Sequence, residues 1–266
     1  MGYDTGTEKL LVEFEDHIAF LTFNDPAKHN PLSREVREAL PPTLRALQAD
    51  PEVRVVVITG AGGKAFVSGA DISEFASQRT TPEARAAYDR AAADSGRAWS
   101  ALEKPVLAMI QGFCMGGGLL TALQADIRIA SDESQFGIPA AKLGLGYGFG
   151  GVETLIEHVG PAWAAEILFS ARRFSAQEAL RIGLVNHVVK GGDIKEAVVD
   201  LARAISENAP LTVMACKAAI RAALQDPDRR DLKRVTEMVE ACFRSEDYRE
   251  GQAAFLEKRS PKFTGR

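Results

Sequence analysis

Cysteine is scarce: three in 266 residues, Cys114, Cys216 and Cys242, far apart and odd in number. Such a set builds no disulfide framework and holds no C-x-x-C pair, which points to a reducing, cytoplasmic setting. Histidine is almost as sparse, and His17, His29, His158 and His187 show no metal-ligand spacing, so no metal site is expected. No apolar run approaches the length of a membrane span, and the opening MGYDTGTEKL lacks the basic-then-apolar order of a secretory signal. An excess of positive charge is missing as well. The net charge is -4 and basic residues cluster only as pairs such as Arg172-Arg173 and Arg229-Arg230, which argues against a nucleic-acid partner.

Several catalytic signatures are absent too. There is no G-x-S-x-G nucleophile elbow. TGAGGKAF follows an apolar run as a phosphate loop would, but Ile58 stands where the first glycine belongs and Ala65 follows Lys64 in place of Ser or Thr. Gly146, Gly148 and Gly151 satisfy G-x-G-x-x-G, yet IPAAKLGL before them is no buried strand, and a flexible turn before a helix is the better reading.

What the chain does contain is a core: 46% of residues are hydrophobic and 26% charged, as in a globular protein acting on something small. LLVEFEDHIAFLTFND alternates as a hairpin turning at Asp16-His17. SREVREALPPTLRALQAD has helical period, Ser33 as N-cap and an expected disturbance at Pro41-Pro42. VRVVVITG and VLAMIQG are β-branched or apolar throughout, the mark of strands buried on both faces. IRIAS and QFGIP add short strands. Asp71 and Glu74 could open a helix as a capping box, and another helix starts at Thr81-Pro82. From PAWAAEILFSA onward the pattern is helical. Strands and helices alternate first and helices dominate last, so the fold class is α/β with a helical C-terminal part.

Two glycine-bearing loops, AGGKAFVSGADISEF and QGFCMGGG, each follow a buried strand and open a helix. Two readings compete. In one, both are tight turns where helix meets strand. Alternatively, loops of this kind aim two backbone N–H groups at one oxygen, forming an oxyanion hole that needs no charged side chain. Glycine lets a substrate carbonyl approach without a Cβ in the way.

KAFVSGADISEF, IQGFCMGGG, ADIRIASDESQFGIP, FSAQEALRIGLVNHVV and AFLEKRSPKF occur in this order between about Leu10 and Phe263. Together they resemble the crotonase superfamily, the enoyl-CoA hydratase/isomerase family. The resemblance implies a ClpP/crotonase-like fold of repeated ββα units over residues 1–200 and a helical region over 201–266 that makes a homotrimer or a dimer of trimers. It implies an acyl-CoA thioester as substrate, coenzyme A entering only as part of that substrate, and an enolate held by two backbone N–H groups. Matched by motif, these are Ser68 and Gly117. Lys28 falls where the CoA nucleotide is contacted. Ala70, Asp71 and Ile72 fall along the adenine and pantetheine, and Phe255 and Lys258 where a neighbouring subunit completes the pocket.

The chain departs from the hydratase pattern at two positions. Leu120 and Ala140 stand where hydratases carry the glutamates that hold and deprotonate water. Hydration needs a base for water and an acid for the α-carbon, and losing such help costs on the order of a hundredfold to ten-thousandfold. Three readings follow. In the first, Glu153, Glu74 or Tyr147 moves the proton instead. In the second, a malonyl-type thioester is decarboxylated, since loss of carbon dioxide generates the enolate directly. KLGLGYG and SEDYREGQAAFLEKRSPKF resemble the methylmalonyl-CoA decarboxylase branch, which has a tyrosine at the position of Tyr147 but a histidine where this chain has Ala70. In the third, the chain binds acyl-CoA without catalysis.

Overall fold

Alternating apolar residues carry the chain into a hairpin of β1 (Leu10–Glu15) and β2 (Ile18–Phe23), paired antiparallel from Leu10 with Phe23 to Glu15 with Ile18. Asp16 (φ 47) and His17 (φ 66) are both left-handed, the two-residue turn whose twist matches the flanking strands. A computed structural model of the chain describes residues 3–71, 74 and 81–266, the Arg85 side chain excepted.

After the hairpin the strands arrive in closely spaced pairs: β3 (Val55–Gly60) with β4 (Ala65–Val67), β5 (Val106–Ile110) with β6 (Phe113–Met115), and β7 (Ile127–Ser131) with β8 (Gln135–Gly137). Each pair divides between two sheets. The first member extends a six-stranded sheet of order β1-β2-β3-β5-β7-β10, in which β10 is His187–Val189. The second extends a four-stranded sheet, β4-β6-β8-β9, with β9 at Phe174–Ser175. This is the ββα recurrence implied by the sequence motifs, and its consequence is positional. The loops leaving β4 and β6 emerge side by side because those strands are parallel neighbours.

The large sheet is buried on both faces. Val56 and Ile58 of β3 point into the main core with Phe23, Phe66 and Leu107's neighbour Ala108, while Val55 and Val57 join a second cluster. That cluster is closed by Ile194, Val198 and Ala202 of a later helix, Ile194–Ser206. A strand covered on both sides is apolar at every position, which is why VVVI shows no alternation.

Helix α1 (Arg34–Ala49) is capped by Ser33, whose Oγ accepts from Val36 N at 3.3 Å. The expected disturbance at Pro41-Pro42 does not interrupt it: the helix runs through both prolines. Pro41 is buried on the core side, and Thr43 Oγ1 donates to Ala39 O at 2.8 Å, so packing outweighs the missing amide bonds. Helix α2 (Pro82–Ala101) is capped by Thr81. Helix α3 (Gly117–Ala122) follows the glycine triplet, and α4 (Phe149–Ser170) follows GLGYG. The first half of α4, before its break at Gly160-Pro161, is the helix expected after the glycine turn, whereas β9 and β10 are not among the expected strands. Two- and three-residue strands leave almost no periodic signal.

Helices α5 (Ala176–Arg181) and α6 (Ile194–Ser206) lead to α7 (Pro210–Leu224), α8 (Leu232–Arg244) and α9 (Glu246–Glu257). Polar bonds tie α7 to the core. Lys217 Nζ donates to Lys104 O and Asp126 Oδ2, both at 2.7 Å, and Arg221 Nη1 donates to Ser100 O at 2.9 Å and Leu102 O at 3.1 Å. By contrast, α8 buries no residue although it carries Leu232, Val239 and Phe243. No described helix is long and apolar enough to cross a membrane.

Burial outweighs the Asp126 carboxylate at Lys217 and pulls its pKa down to about 8. An unfolded lysine titrates near about 10.4, so above pH 8 the unfolded chain holds more protons at this site than the folded one. The site's contribution is therefore full above that window and is lost as pH falls through about 8. Urea unfolding of wild type and Lys217→Met, compared from pH 8 to about pH 10, is expected to show the difference moving in favour of wild type by up to about 1 kcal/mol per pH unit. A flat difference would mean that Lys217 titrates normally.

Candidate active site

The loop after β4 reads Ser68-Gly69-Ala70-Asp71. Its first N–H is engaged: Ser68 N donates to His29 O at 3.1 Å. Gly69 adopts φ +102, a conformation open to glycine, and its carbonyl accepts from Leu32 N at 2.7 Å. Ala70 forms an isolated parallel bridge with Leu32. In that pattern the Ala70 N–H faces away from Leu32, and it meets no acceptor among the described residues.

The loop after β6 supplies the neighbour. Gly116 takes φ 53 and donates its N–H to Gly137 O at 2.8 Å. Gly117 opens α3, where a first-turn N–H has no intrahelical partner, and none is found elsewhere among the described residues. A side chain at Gly117 would begin 3.9 Å from Ala70 N, and one at Gly69 would begin 3.6 Å from Gly117 N. Gly118 abuts β4 so closely that a Cβ there would overlap the Val67 carbonyl. The site therefore brings together two open backbone donors, Ala70 and Gly117. Ser68, expected as one of the pair, has its N–H committed to His29.

Apolar side chains surround the donors. Leu32 Cδ1 lies 3.3 Å from where a Gly117 side chain would start. Leu120, one turn along α3, and Tyr147 converge on Gly151, where a Cβ would lie 3.0 Å from both Leu120 Cδ1 and Tyr147 Cε1. Ala140 is buried in the same cluster, and its carbonyl accepts from Leu145 N at 3.0 Å. The Tyr147 hydroxyl is buried and meets no hydrogen-bond partner among the described residues. Burial, with Tyr88 nearby, pushes its pKa well above the ordinary phenol value, so at neutral pH it is a proton donor and not a base.

The other acid candidates sit differently. Glu74 Oε2 accepts from Arg34 N at 3.0 Å and faces Arg37 Nη2 at 3.6 Å, so this side chain reaches toward α1. The capping box expected at Asp71 and Glu74 spans residues outside the described ones, as does Ile72. Glu153 is exposed on α4. Lys28 Nζ stands 3.6 Å from Asp71 Oδ2, with Lys28 mostly exposed at the lip of the site. Phe255 (84% exposed) and Lys258, at the end of α9, have no hydrogen bond, ion pair or ring contact to this site among the described residues of one chain.

Leu32, Arg37 and Tyr88 belong to the surroundings of the site and were not singled out from sequence, and Gly151 was read there only as part of a flexible turn. Only Arg37 carried a usable signal: a charge recurring on the face of α1 that also presents Leu40 and Leu44.

The sequence profile of the enoyl-CoA hydratase/isomerase family matches residues 13–266. The chain is 38% identical over 250 residues to a short-chain-enoyl-CoA hydratase of Clostridium acetobutylicum, covering 94% of this chain and 95% of that one. It is 37% identical to a crotonyl-CoA hydratase of Syntrophomonas wolfei, covering 96% and 98%. Among solved structures, an enoyl-CoA hydratase/carnithine racemase from Magnetospirillum magneticum superposes with a TM-score of 0.91 at 35% identity, covering 98% of this chain and 97% of that one. With the split-sheet fold and motifs running nearly end to end, the chain belongs to the enoyl-CoA hydratase/isomerase family, within the crotonase superfamily.

Proposed function

We propose that the chain acts on an acyl-CoA thioester, enoyl-CoA in the first instance, by stabilising an enolate oxygen between the Ala70 and Gly117 N–H groups. The observation that carries this reading is the pair of open donors on adjacent loops in apolar surroundings. Fixed donors in a dry site hold developing charge without reorganising, and each is worth about a hundredfold to a thousandfold in rate. Gly117 carries its N–H where no side chain blocks approach. Lys28 and Asp71 at the lip line the way for the CoA portion, which enters as part of the substrate.

Leu120 and Ala140 offer no base, so the proton comes from elsewhere. Tyr147 is the side chain best fitted to deliver it: buried, protonated at neutral pH and without another partner among the described residues. A phenol of this kind gives a proton to the α-carbon side of an enolate and does not deprotonate water; in hydration the attacking water releases its own proton to solvent, from which the tyrosinate is reprotonated. That imbalance supports a second reading, decarboxylation of a malonyl-type thioester, in which the carbon–carbon bond supplies the electron pair and only one proton must be given back. An acyl-CoA-binding protein without catalysis is a third reading, disfavoured by the open donor pair.

We further propose a homotrimer or a dimer of trimers in the cytoplasm. The support is α8, amphipathic with no buried residue, together with the exposed Phe255 and Leu256 of α9. In such an assembly Phe255 and Lys258 reach a neighbour's CoA site.

Crotonyl-CoA incubated with the purified protein is expected to gain one water, read by product mass. Gly117→Pro removes one donor at a first helical position, which proline tolerates, and is expected to lower kcat by about a hundredfold or more. Undiminished turnover would remove Gly117 from the oxyanion role. No water gain, with carbon dioxide lost from malonyl-CoA instead, would select the decarboxylase reading. Tyr147→Phe is expected to reduce kcat by about a hundredfold while acyl-CoA still binds; an unchanged kcat would assign the proton to another group. In light scattering the protein is expected at three or six chain masses, and Val239→Glu on α8 at a lower one.

A further inference from the structure

Arg37 is a charged side chain buried to 8% exposure on the core-facing side of α1, and the chemistry proposed at Ala70, Gly117 and Tyr147 makes no use of it. Its guanidinium stands where three elements meet. Nη1 donates to the Leu32 carbonyl. Leu32 in turn donates its own N–H to Gly69 O at 2.7 Å and lays its side chain against Gly117. On a second side Nη2 faces Glu74 Oε2 at 3.6 Å, and Glu74 N donates to Asp71 O at 3.1 Å, so the carboxylate is carried by the segment that continues the Ala70 loop. On a third side the guanidinium lies 4.4 Å from the centre of the Tyr88 ring on α2. Tyr88 is near enough to Tyr147 to act on its titration.

We propose that Arg37 is a positioning residue for the thioester reaction: through Leu32 it braces the loop bearing the Ala70 donor, and through Glu74 and Tyr88 it holds the facing wall of the acyl site in register with it. This rests on the reading of Ala70 and Gly117 as the oxyanion donors. Elementary energetics favours a geometric role over a stabilising one. Taking a guanidinium out of water is costly, so a buried ion pair adds little net stability, and Glu74, with its side chain 27% exposed, stays partly solvated when its partner is removed. A planar fork with a stacking face can satisfy a carbonyl, a carboxylate and a ring at once, which lysine cannot do. Misplacing reacting groups by about 1 Å costs on the order of a hundredfold in rate.

The test compares wild type with Arg37→Met and Arg37→Lys in three measurements: thermal midpoint, kcat and KM on crotonyl-CoA, and amide hydrogen exchange without substrate. In Arg37→Met, kcat is expected to fall by about a hundredfold with KM little changed and the midpoint close to wild type. Exchange is expected to quicken by about tenfold at residues 69–71 and along α2, and nowhere else. Arg37→Lys is expected to recover charge but less than about a tenth of the lost kcat, and guanidinium ion added to Arg37→Ala is expected to restore part of it. Wild-type kcat in the Met or Lys variant overturns the proposal. So does a rate loss that tracks a fallen midpoint with exchange rising throughout the chain. If Arg37→Met does not fold, the Lys variant decides. If wild type itself turns over no thioester, the oxyanion reading fails, and unchanged local exchange in the variants independently overturns the positioning role.

Discussion

The close approach of α3 to β4 is the constraint on which the rest of the molecule depends. Gly118 lies against the Val67 carbonyl with no room for a Cβ, so the helix after β6 starts directly beside the end of β4. Two parallel strands of the small sheet thereby deliver their outgoing loops to one point. A wider helix–strand spacing would leave each loop a separate turn. At this spacing the first residue of the helix and the residue three past the strand end present their amides together, two open donors supplied by the backbone alone.

Each glycine of the triplet answers a different demand. Gly116 takes a positive φ and pins its amide to Gly137, Gly117 leaves its own amide open to the pocket, and Gly118 permits the approach. The two sheets serve this corner from outside. The large sheet, buried on both faces between the main core and α6, anchors the incoming strands; the small sheet sets the outgoing loops. Lys217 and Arg221 then fasten α7 to the ends of β5 and α2 through backbone carbonyls. The helices beyond it are left with apolar faces that one chain does not cover.

The apolar ring of Leu32, Leu120, Ala140 and Tyr147 changes what that corner can do. Carboxylates in those surroundings could hold water and exchange protons with it. Leucine and alanine instead surround the two amide donors with apolar side chains, beside the buried Tyr147 hydroxyl. A buried guanidinium touching Leu32, Glu74 and Tyr88 stands beside this ring.

Local patterns in the sequence determined much of this protein. Alternation in LLVEFE and IAFLTF with Asp16-His17 between them specifies the hairpin, the unbroken VVVI run specifies a strand buried on both faces, and Ser33 before an apolar helical stripe specifies the start of α1. The glycine triplet and the absence of acids at Leu120 and Ala140 were equally legible, because they are statements about residue identity. What only the tertiary structure decided depends on partners distant in the chain. Whether Ser68 or Ala70 keeps a free amide is settled by where the His29 carbonyl falls. Whether α1 survives Pro41-Pro42 is settled by packing, and the short strands β9 and β10 exist only because neighbours pair with them. A hydrogen bond is made or left open by the geometry of two segments at once, and no single segment of sequence carries that information.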